Sequence, residues 1–340
     1  MSNTSWRRTS LPKDSYQDAQ SLGRDFQALS PGNTEEFRGC FGKLPFLLQH
    51  NFADSELFTL PRLARAAEQL IEQGRGHRFM ARRGQDKVNA DWSAMPTVQH
   101  VTSAIQSIGE QNAWVKVTAL NEADPAYVDF LDGVIGEIET LLDRPFRREI
   151  TLAQMTAFIA SPGVATPYHI DHEENLLCQV YGEKDVCVYD PSNRENLPDH
   201  EIEQFYFGKL GAATYRSETA SVGKVFRLVP GTGVHHPSLA AHWVRNGDAP
   251  SVSVSLAFCT RDIDRRAYTY QSNFILRKLG LRQKPPGQWP AWDAMKADAI
   301  QAISKRNPSS YHELIFSGPS RLKAPARLAR QVLRPALGKQ

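Results

Sequence analysis

The sequence predicts a mainly β protein with flanking helices: an antiparallel double-sheet or jelly-roll core with helices at its C-terminal end. Two observations carry this. From 148 to about 260, short runs rich in Val, Ile, Phe, Tyr and Thr alternate with Gly, Pro, Asn and Asp turns: EITLAQMTAFIA, NLLCQVYG, EKDVCVYDP, KVFRLVP, HWVRNG and SVSVSLAF. That is the spacing of antiparallel strands. No strand–helix alternation and no GxGxxG or P-loop glycine pattern accompanies them, which argues against a parallel nucleotide-binding sheet. DHEIEQFYFGKLG reads as a partly helical insertion across this sheet.

The remaining elements follow in order. Residues 1–33 are polar, end in SPGNTEEF, and read as a flexible N-terminal arm. FRGCFGKLPFLLQHNF looks strand-like. SELFTLPRLARAAEQLIEQG reads as a helix: Leu60, Leu63, Ala66 and Leu70 fall near helical spacing, Pro61 suits the first turn and Gly74 the stop. TVQHVTSAIQSIGEQ reads as a second helix, AWVKVTAL as a strand, and DPAYVDFLDGVIGEIETLLDR as a third, amphipathic helix. After 265, RAYTYQSNFILRKLGL, WDAMKADAIQAISKRN and SSYHELIFS read as helices separated by RQKPPGQWP.

Composition narrows the function classes. With 340 residues, 41% hydrophobic and 23% charged, the chain has the make-up of an ordinary globular protein. No apolar run approaches the roughly 18 residues that span a bilayer. The polar first residues lack the apolar core of a secretory signal, so a cytoplasmic location is expected. The net charge of +3 hides a tail, 321–340, with six basic side chains and no acid. The remainder is therefore slightly acidic, unlike a nucleic-acid-binding surface. Cys40, Cys178, Cys187 and Cys259 form no CxxC pair, and the last three lie in apolar runs, as buried thiols do.

The chemistry concentrates in TPYHIDHEENLLCQVYGEKDVCVYD, 166–190. His169 and Asp171 are two apart, so on a strand both point to one face and can converge on one ion. His172 should point the other way. A third ligand is sought about 70 residues on, in HHPSLAAHWVRNGDAPSVSVSLAF, where His235, His236 and His242 compete. His235 and His236 lie between a Pro-Gly turn and Pro237, a rigid loop position that could line a substrate mouth, whereas His242 opens an alternating run. Two imidazoles and one carboxylate on one face of an octahedral ion leave three positions free, as non-haem iron(II) oxygenases require.

The stretch resembles the JmjC and cupin-like hydroxylases, the group that includes the asparaginyl hydroxylase acting on hypoxia-inducible factor. The pattern T-x-x-H-x-D, an Asn four residues on, then Q-[IV]-x-G-x-K appears as Thr166, His169, Asp171, Asn175, Gln179, Val180, Gly182 and Lys184. The downstream pattern appears as Pro230, Gly231, Pro237, His242 and Val244. The chain departs from the group at Ala257, where some relatives carry Asn, and at Ala241, where many carry an aromatic.

The resemblance implies a double-stranded β-helix fold and an Fe(II)- and 2-oxoglutarate-dependent dioxygenase, expected to hydroxylate a protein, peptide or small-molecule substrate with dioxygen. His169, Asp171 and His242 would bind the metal. Lys184 and Thr166 would hold the distal carboxylate of 2-oxoglutarate, with Asn175 near the keto acid or oxygen. The expected organisation is the arm at 1–33, the oxygenase domain with its N-terminal helices at 34–264, a C-terminal helical region at 265–320, and the basic tail at 321–340. The helical region would serve a homodimer. Two other readings stay open: a zinc or manganese cupin metalloenzyme such as an isomerase, and a non-catalytic cupin-like binding module.

Overall fold

The computed structural model describes residues 27–30, 32–85, 87–89, 104–105, 107–110, 112–306, 308 and 312–322. The strands are β1 (Leu29–Ser30), β2 (Phe46–His50), β3 (Phe79–Arg83), β4 (Ala113–Val117), β5 (Ile150–Ala160), β6 (Ala165–His169), β7 (Glu174–Tyr181), β8 (Lys184–Val188), β9 (Lys224–Leu228), β10 (Thr232–His236), β11 (His242–Asn246) and β12 (Ser251–Thr260). The helices are α1 (Thr34–Cys40), α2 (Leu60–Glu72), α3 (Pro125–Leu142), α4 (Asp199–Tyr206), α5 (Arg261–Lys278), α6 (Pro290–Ile303) and α7 at 312–322.

The helix starts follow local chemistry. Asp124 caps α3 by accepting from the Ala126 N–H, with Pro125 in the first turn. Helix α2 has Pro61 in its first turn and buries Leu63, Ala66, Ala67 and Leu70, as its spacing predicts. One segment differs from expectation: 34–40, at the start of the strand-like FRGCFGK run, is helix α1. The Asn33 side chain accepts from the N–H groups of Glu35 and Glu36, and Phe37 and Phe41, one turn apart, stack at 5.3 Å. The cap and the i,i+4 pair settle the conformation there.

The strands form two antiparallel sheets. The larger runs β1-β2-β10-β7-β12-β5-β4-β3 and the smaller β6-β11-β8-β9. Strand β12, paired with both β5 and β7, is buried along its whole length. Its two faces meet different surroundings. Val252, Val254, Leu256 and Phe258 join Met155, Ile159 and Leu176 in a core closed by Leu63 and Leu70 of α2 and Val134 and Ile138 of α3. Ser251, Ser253, Ser255 and Ala257 lie on the other face, with Leu177 of β7 and Phe158 of β5. Leu177, Val234 and Phe158 in turn pack with Val186, Val188, Phe226, Leu228 and Val244 of the smaller sheet. The fold is thus the jelly roll that the sequence predicts, with one apolar layer between its sheets and another outside the larger one.

By chain contacts the described residues divide into two compact units, one of those up to 197 together with 213–260, the other of 198–212 and those from 261 to 322. The second is helical in its described residues. Gln271 donates to the carbonyls of Tyr206 and Ile315, tying α4, α5 and the 312–322 helix together. Lys296 of α6 donates to Asn273 of α5 and pairs with Asp293 at 2.7 Å. Most of the helix expected at 97–111 lies outside the described residues, as do the arm up to 26 and the tail from 323. No helix among the described residues is long and apolar enough to cross a membrane.

Candidate metal centre

Strand β6 ends on His169, and Asp171 follows just beyond it. Strand β11 begins on His242, which stands opposite His169 in the antiparallel register. A register shift between His242 and Val244 adjusts the pairing there. The turn that delivers His242 is held to the segment carrying the carboxylate: the Leu239 N–H donates to the Asp171 carbonyl at 2.9 Å, and the Ser238 hydroxyl donates to the His172 carbonyl. Leu239 is buried with φ at +66°, a left-handed conformation that a bulky residue rarely adopts.

The two imidazoles are oriented in the same way. Nδ1 of His169 faces the Pro167 carbonyl at 2.7 Å, and Nδ1 of His242 the Ala240 carbonyl at 2.9 Å. Each contact assigns the proton to Nδ1, which then donates and leaves the Nε2 lone pair to the other side. Those Nε2 atoms stand 3.7 and 3.6 Å from the same oxygen, Oδ2 of Asp171. The gaps are too long for hydrogen bonds. They suit neighbouring ligands of one ion, since metal–ligand bonds of about 2.0–2.2 Å separate adjacent donor atoms by about 3–4 Å.

Protonation states agree with that geometry. Burial first, then the neighbouring His169, holds His242 down at about 4, so the imidazole is neutral near pH 7. Burial alone would raise the Asp171 carboxyl. The nearby His169, His242, Lys116 and His172 together outweigh it and keep the group below the usual carboxylate range. A neutral imidazole at His242 and an ionised carboxylate at Asp171 are the forms that bind metal. Among the described residues, the ligand atoms of His169, Asp171 and His242 all lie within 4.8 Å of one another.

Lys184 sits on the same sheet. Strand β8 pairs Lys184 with Asn246 and Val186 with Val244, and β11 pairs Val244 with Thr166. Directly opposed residues share a face and residues two apart share it too, so Thr166, Lys184 and His242 all belong to the inner face. Lys184 is 3% exposed. Among the described residues its ammonium has no hydrogen-bond or ion-pair partner, and burial pulls it down to about 7. An unpaired buried cation is costly. Thr166 is buried as well. Gly182, at φ +66°, makes the β7–β8 turn, and a side chain there would strike the Pro250 carbonyl.

Across the interior, the register aligns His236 of β10, Asn175 of β7 and Ala257 of β12. Asn175 donates to the Ser255 hydroxyl at 2.7 Å, and that hydroxyl donates back to Oδ1 of Asn175 at 2.9 Å. The three competing histidines separate here. His242 joins His169 and Asp171. His236 faces inward with its ring 4.4 Å from that of His242. His235 faces the other side, where its Nε2 is 2.8 Å from Glu174 and its ring lies between Phe41 and Phe46. The expected loop at His235 and His236 is corrected: both belong to β10, paired with β2 and β7. Its Thr-Gly-Val-His-His run was the available signal, obscured by the flanking prolines. The sequence reading also passed over Lys116, whose charge reaches Asp171.

The thiols offer no nucleophile. Cys178, Cys187 and Cys259 are buried and none of the four forms a disulfide. Burial pushes the Cys178 thiol far up and that of Cys187 up to about 11.

A family model described as a cupin-like domain matches residues 64–268. Jumonji C domain-containing protein 5 of Drosophila melanogaster is 36% identical over 105 residues, covering 29% of this chain and 26% of that protein. JmjC domain-containing protein D of Dictyostelium discoideum is 32% identical over 54 residues, 16% of this chain and 12% of that one. The matched stretches thus span about a quarter or less of those relatives. Among solved structures, the Escherichia coli ribosomal oxygenase YcfD aligns with TM-score 0.41 and 15% identity over 82% of this chain and 68% of its own. The same protein in complex with cobalt and 2-oxoglutarate aligns with TM-score 0.43 and 16% identity over 82% and 68%. The family model covers more than half of this chain and takes in His169, Asp171 and His242, so the chain belongs to the cupin-like, JmjC-related family.

Proposed function

We propose that the protein is an Fe(II)- and 2-oxoglutarate-dependent dioxygenase that hydroxylates a C–H bond of a protein, peptide or small-molecule substrate. The observation that carries this reading is the pairing of two features on one sheet face. A three-ligand cluster leaves half of an octahedral ion open, and the buried Lys184 ammonium has no hydrogen-bond or ion-pair partner among the described residues. A dianionic keto acid chelating the ion at one end would give Lys184 the counter-charge it lacks at the other. A zinc or manganese isomerase has no comparable use for that lysine.

Iron(II) in this site would supply the redox chemistry that couples dioxygen and oxidative decarboxylation of 2-oxoglutarate to oxygen transfer, releasing succinate and carbon dioxide. The protein's residues hold and orient. Ala240 and Pro167 fix the tautomers of His242 and His169 through their carbonyls. Lys184 and Thr166 receive the distal carboxylate, Asn175 lies near the keto acid, and Leu177, Val186, Phe226 and Val234 keep water from the interior.

The test is succinate formation by purified protein supplied with iron(II), 2-oxoglutarate and air. Slow substrate-independent turnover is expected from the wild type and none from His169→Ala or Asp171→Ala. Full turnover in either variant would contradict the ligand assignment.

The helical unit is proposed as a homodimer surface. Leu279, Leu281, Trp289, Trp292 and Met295 are all exposed within one short stretch of it, an apolar patch of the kind that mates with a second copy.

A further inference from the structure

His236 has no role in the ligand set, yet its placement is unusual for a structural histidine. It is 3% exposed; among the described residues its ring nitrogens make no hydrogen bond, and they are not among the side-chain atoms wholly closed off from solvent. A ring nitrogen that bonds to nothing in the protein yet can still be reached from the interior is placed to meet a ligand. Its neighbour on the same strand shows the contrast: His235 is bonded at both nitrogens.

The surroundings point to what the partner is. The His236 ring lies 4.4 Å from that of His242, tilted 35°, and His242 in turn lies 4.1 Å from His169. His236 is therefore at the level of His169 and His242, whereas Lys184 lies four residues along β8 from Val188, the residue that faces His242. It is not a fourth ligand, because it falls outside the cluster whose ligand atoms lie within 4.8 Å of one another. Asn175, its neighbour in the register, already spends one N–H and its carbonyl oxygen on Ser255. On the other side of Asn175 stands Ala257, which offers no side-chain hydrogen bond.

We propose that His236 is a binding residue for the keto acid, its ring N–H donating to the carboxylate that a chelating 2-oxo acid places beside His242. The inference rests on the 2-oxoglutarate reading above and extends it to a residue outside the motif.

Calorimetric titration of the Mn(II)-loaded protein with 2-oxoglutarate, preceded by a Mn(II) titration read by electron paramagnetic resonance, tests this. His236→Phe keeps a ring against His242 and removes both nitrogens; His236→Leu serves if the larger ring disturbs folding, and His236→Gln restores an N–H. Mn(II) affinity should stay within about twofold in all variants. The dissociation constant for 2-oxoglutarate should rise about tenfold in the Phe and Leu variants, the size of one hydrogen bond to a charged group, and recover to within about threefold in Gln. Unchanged 2-oxoglutarate affinity in the Phe or Leu variant overturns the proposal. So does a joint loss of Mn(II), which would make His236 a support of the metal itself. If the wild type binds Mn(II) but no 2-oxoglutarate, the keto-acid reading itself has failed, a result distinct from an indifferent variant.

Discussion

At the scale of single residues, three histidines within eight positions occupy three different settings. The HxD spacing was legible because it depends only on chain periodicity. The third ligand was not legible from residue type, since His235, His236 and His242 differ only in which face and which strand they occupy. Replacing each by Ala should separate them. His242→Ala should abolish stoichiometric Mn(II) binding. His235→Ala should leave metal binding intact but destabilise the fold by about 3–5 kcal/mol, because Glu174 would remain buried without its partner. A urea titration beside a metal titration reads both.

Lys184 carries a pH prediction. Burial lowers its folded value to about 7, below the ordinary 10.5, so the folded state disfavours the charged form. The penalty is present in full below about pH 7 and fades as pH rises from there toward 10.5, so the apoprotein gains stability over that window. Lys184→Met should remove this dependence and stabilise the apoprotein near neutral pH by an amount on the order of 4 kcal/mol. The same change should weaken 2-oxoglutarate binding severely. In the wild type, affinity for 2-oxoglutarate should weaken above about pH 7 as the ammonium loses its proton. Thermal unfolding across pH 6–10 follows the first effect, and calorimetry the second.

At the scale of elements, the site depends on one turn and one hairpin. Leu239 in the β10–β11 turn adopts φ +66° at a cost of about 1–2 kcal/mol, but its burial contributes about 1.5–3 kcal/mol. Burial wins, so Leu239→Gly should lower stability by about 1 kcal/mol despite relieving strain. It should also weaken metal binding, since the turn is bonded to the Asp171 carbonyl. Gly182→Val should be worse, because its side chain would meet the Pro250 carbonyl and displace the strand that carries Lys184. Most strands were legible as apolar, β-branched-rich runs bounded by turn residues, β5, β7, β8 and β12 among them. Strand β10 was hidden because prolines bracket it, and α1 because a side-chain cap decided a segment too short for periodicity to speak.

At the scale of the whole molecule, the fold class was legible because turn residues recur between β-branched runs and then give way to helical spacing. What could not be read was which face of each strand looks inward, since that depends on register across strands distant in sequence. That register puts Lys184, Thr166 and His242 on one face and sends His235 to the other. The helical unit makes its own prediction. Wild-type protein should sediment as a dimer, and Trp292→Glu with Met295→Glu should yield monomers that still bind metal; a monomeric wild type would contradict the proposed surface.

The most direct measurement is an anaerobic titration of the iron(II)-loaded protein with 2-oxoglutarate, watched for the visible metal-to-ligand charge-transfer band of a chelated keto acid. The band should appear with one equivalent of iron, vanish in His242→Ala, and require far more 2-oxoglutarate in Lys184→Met. A wild type that binds iron(II) tightly and shows no band at any 2-oxoglutarate concentration would contradict the account.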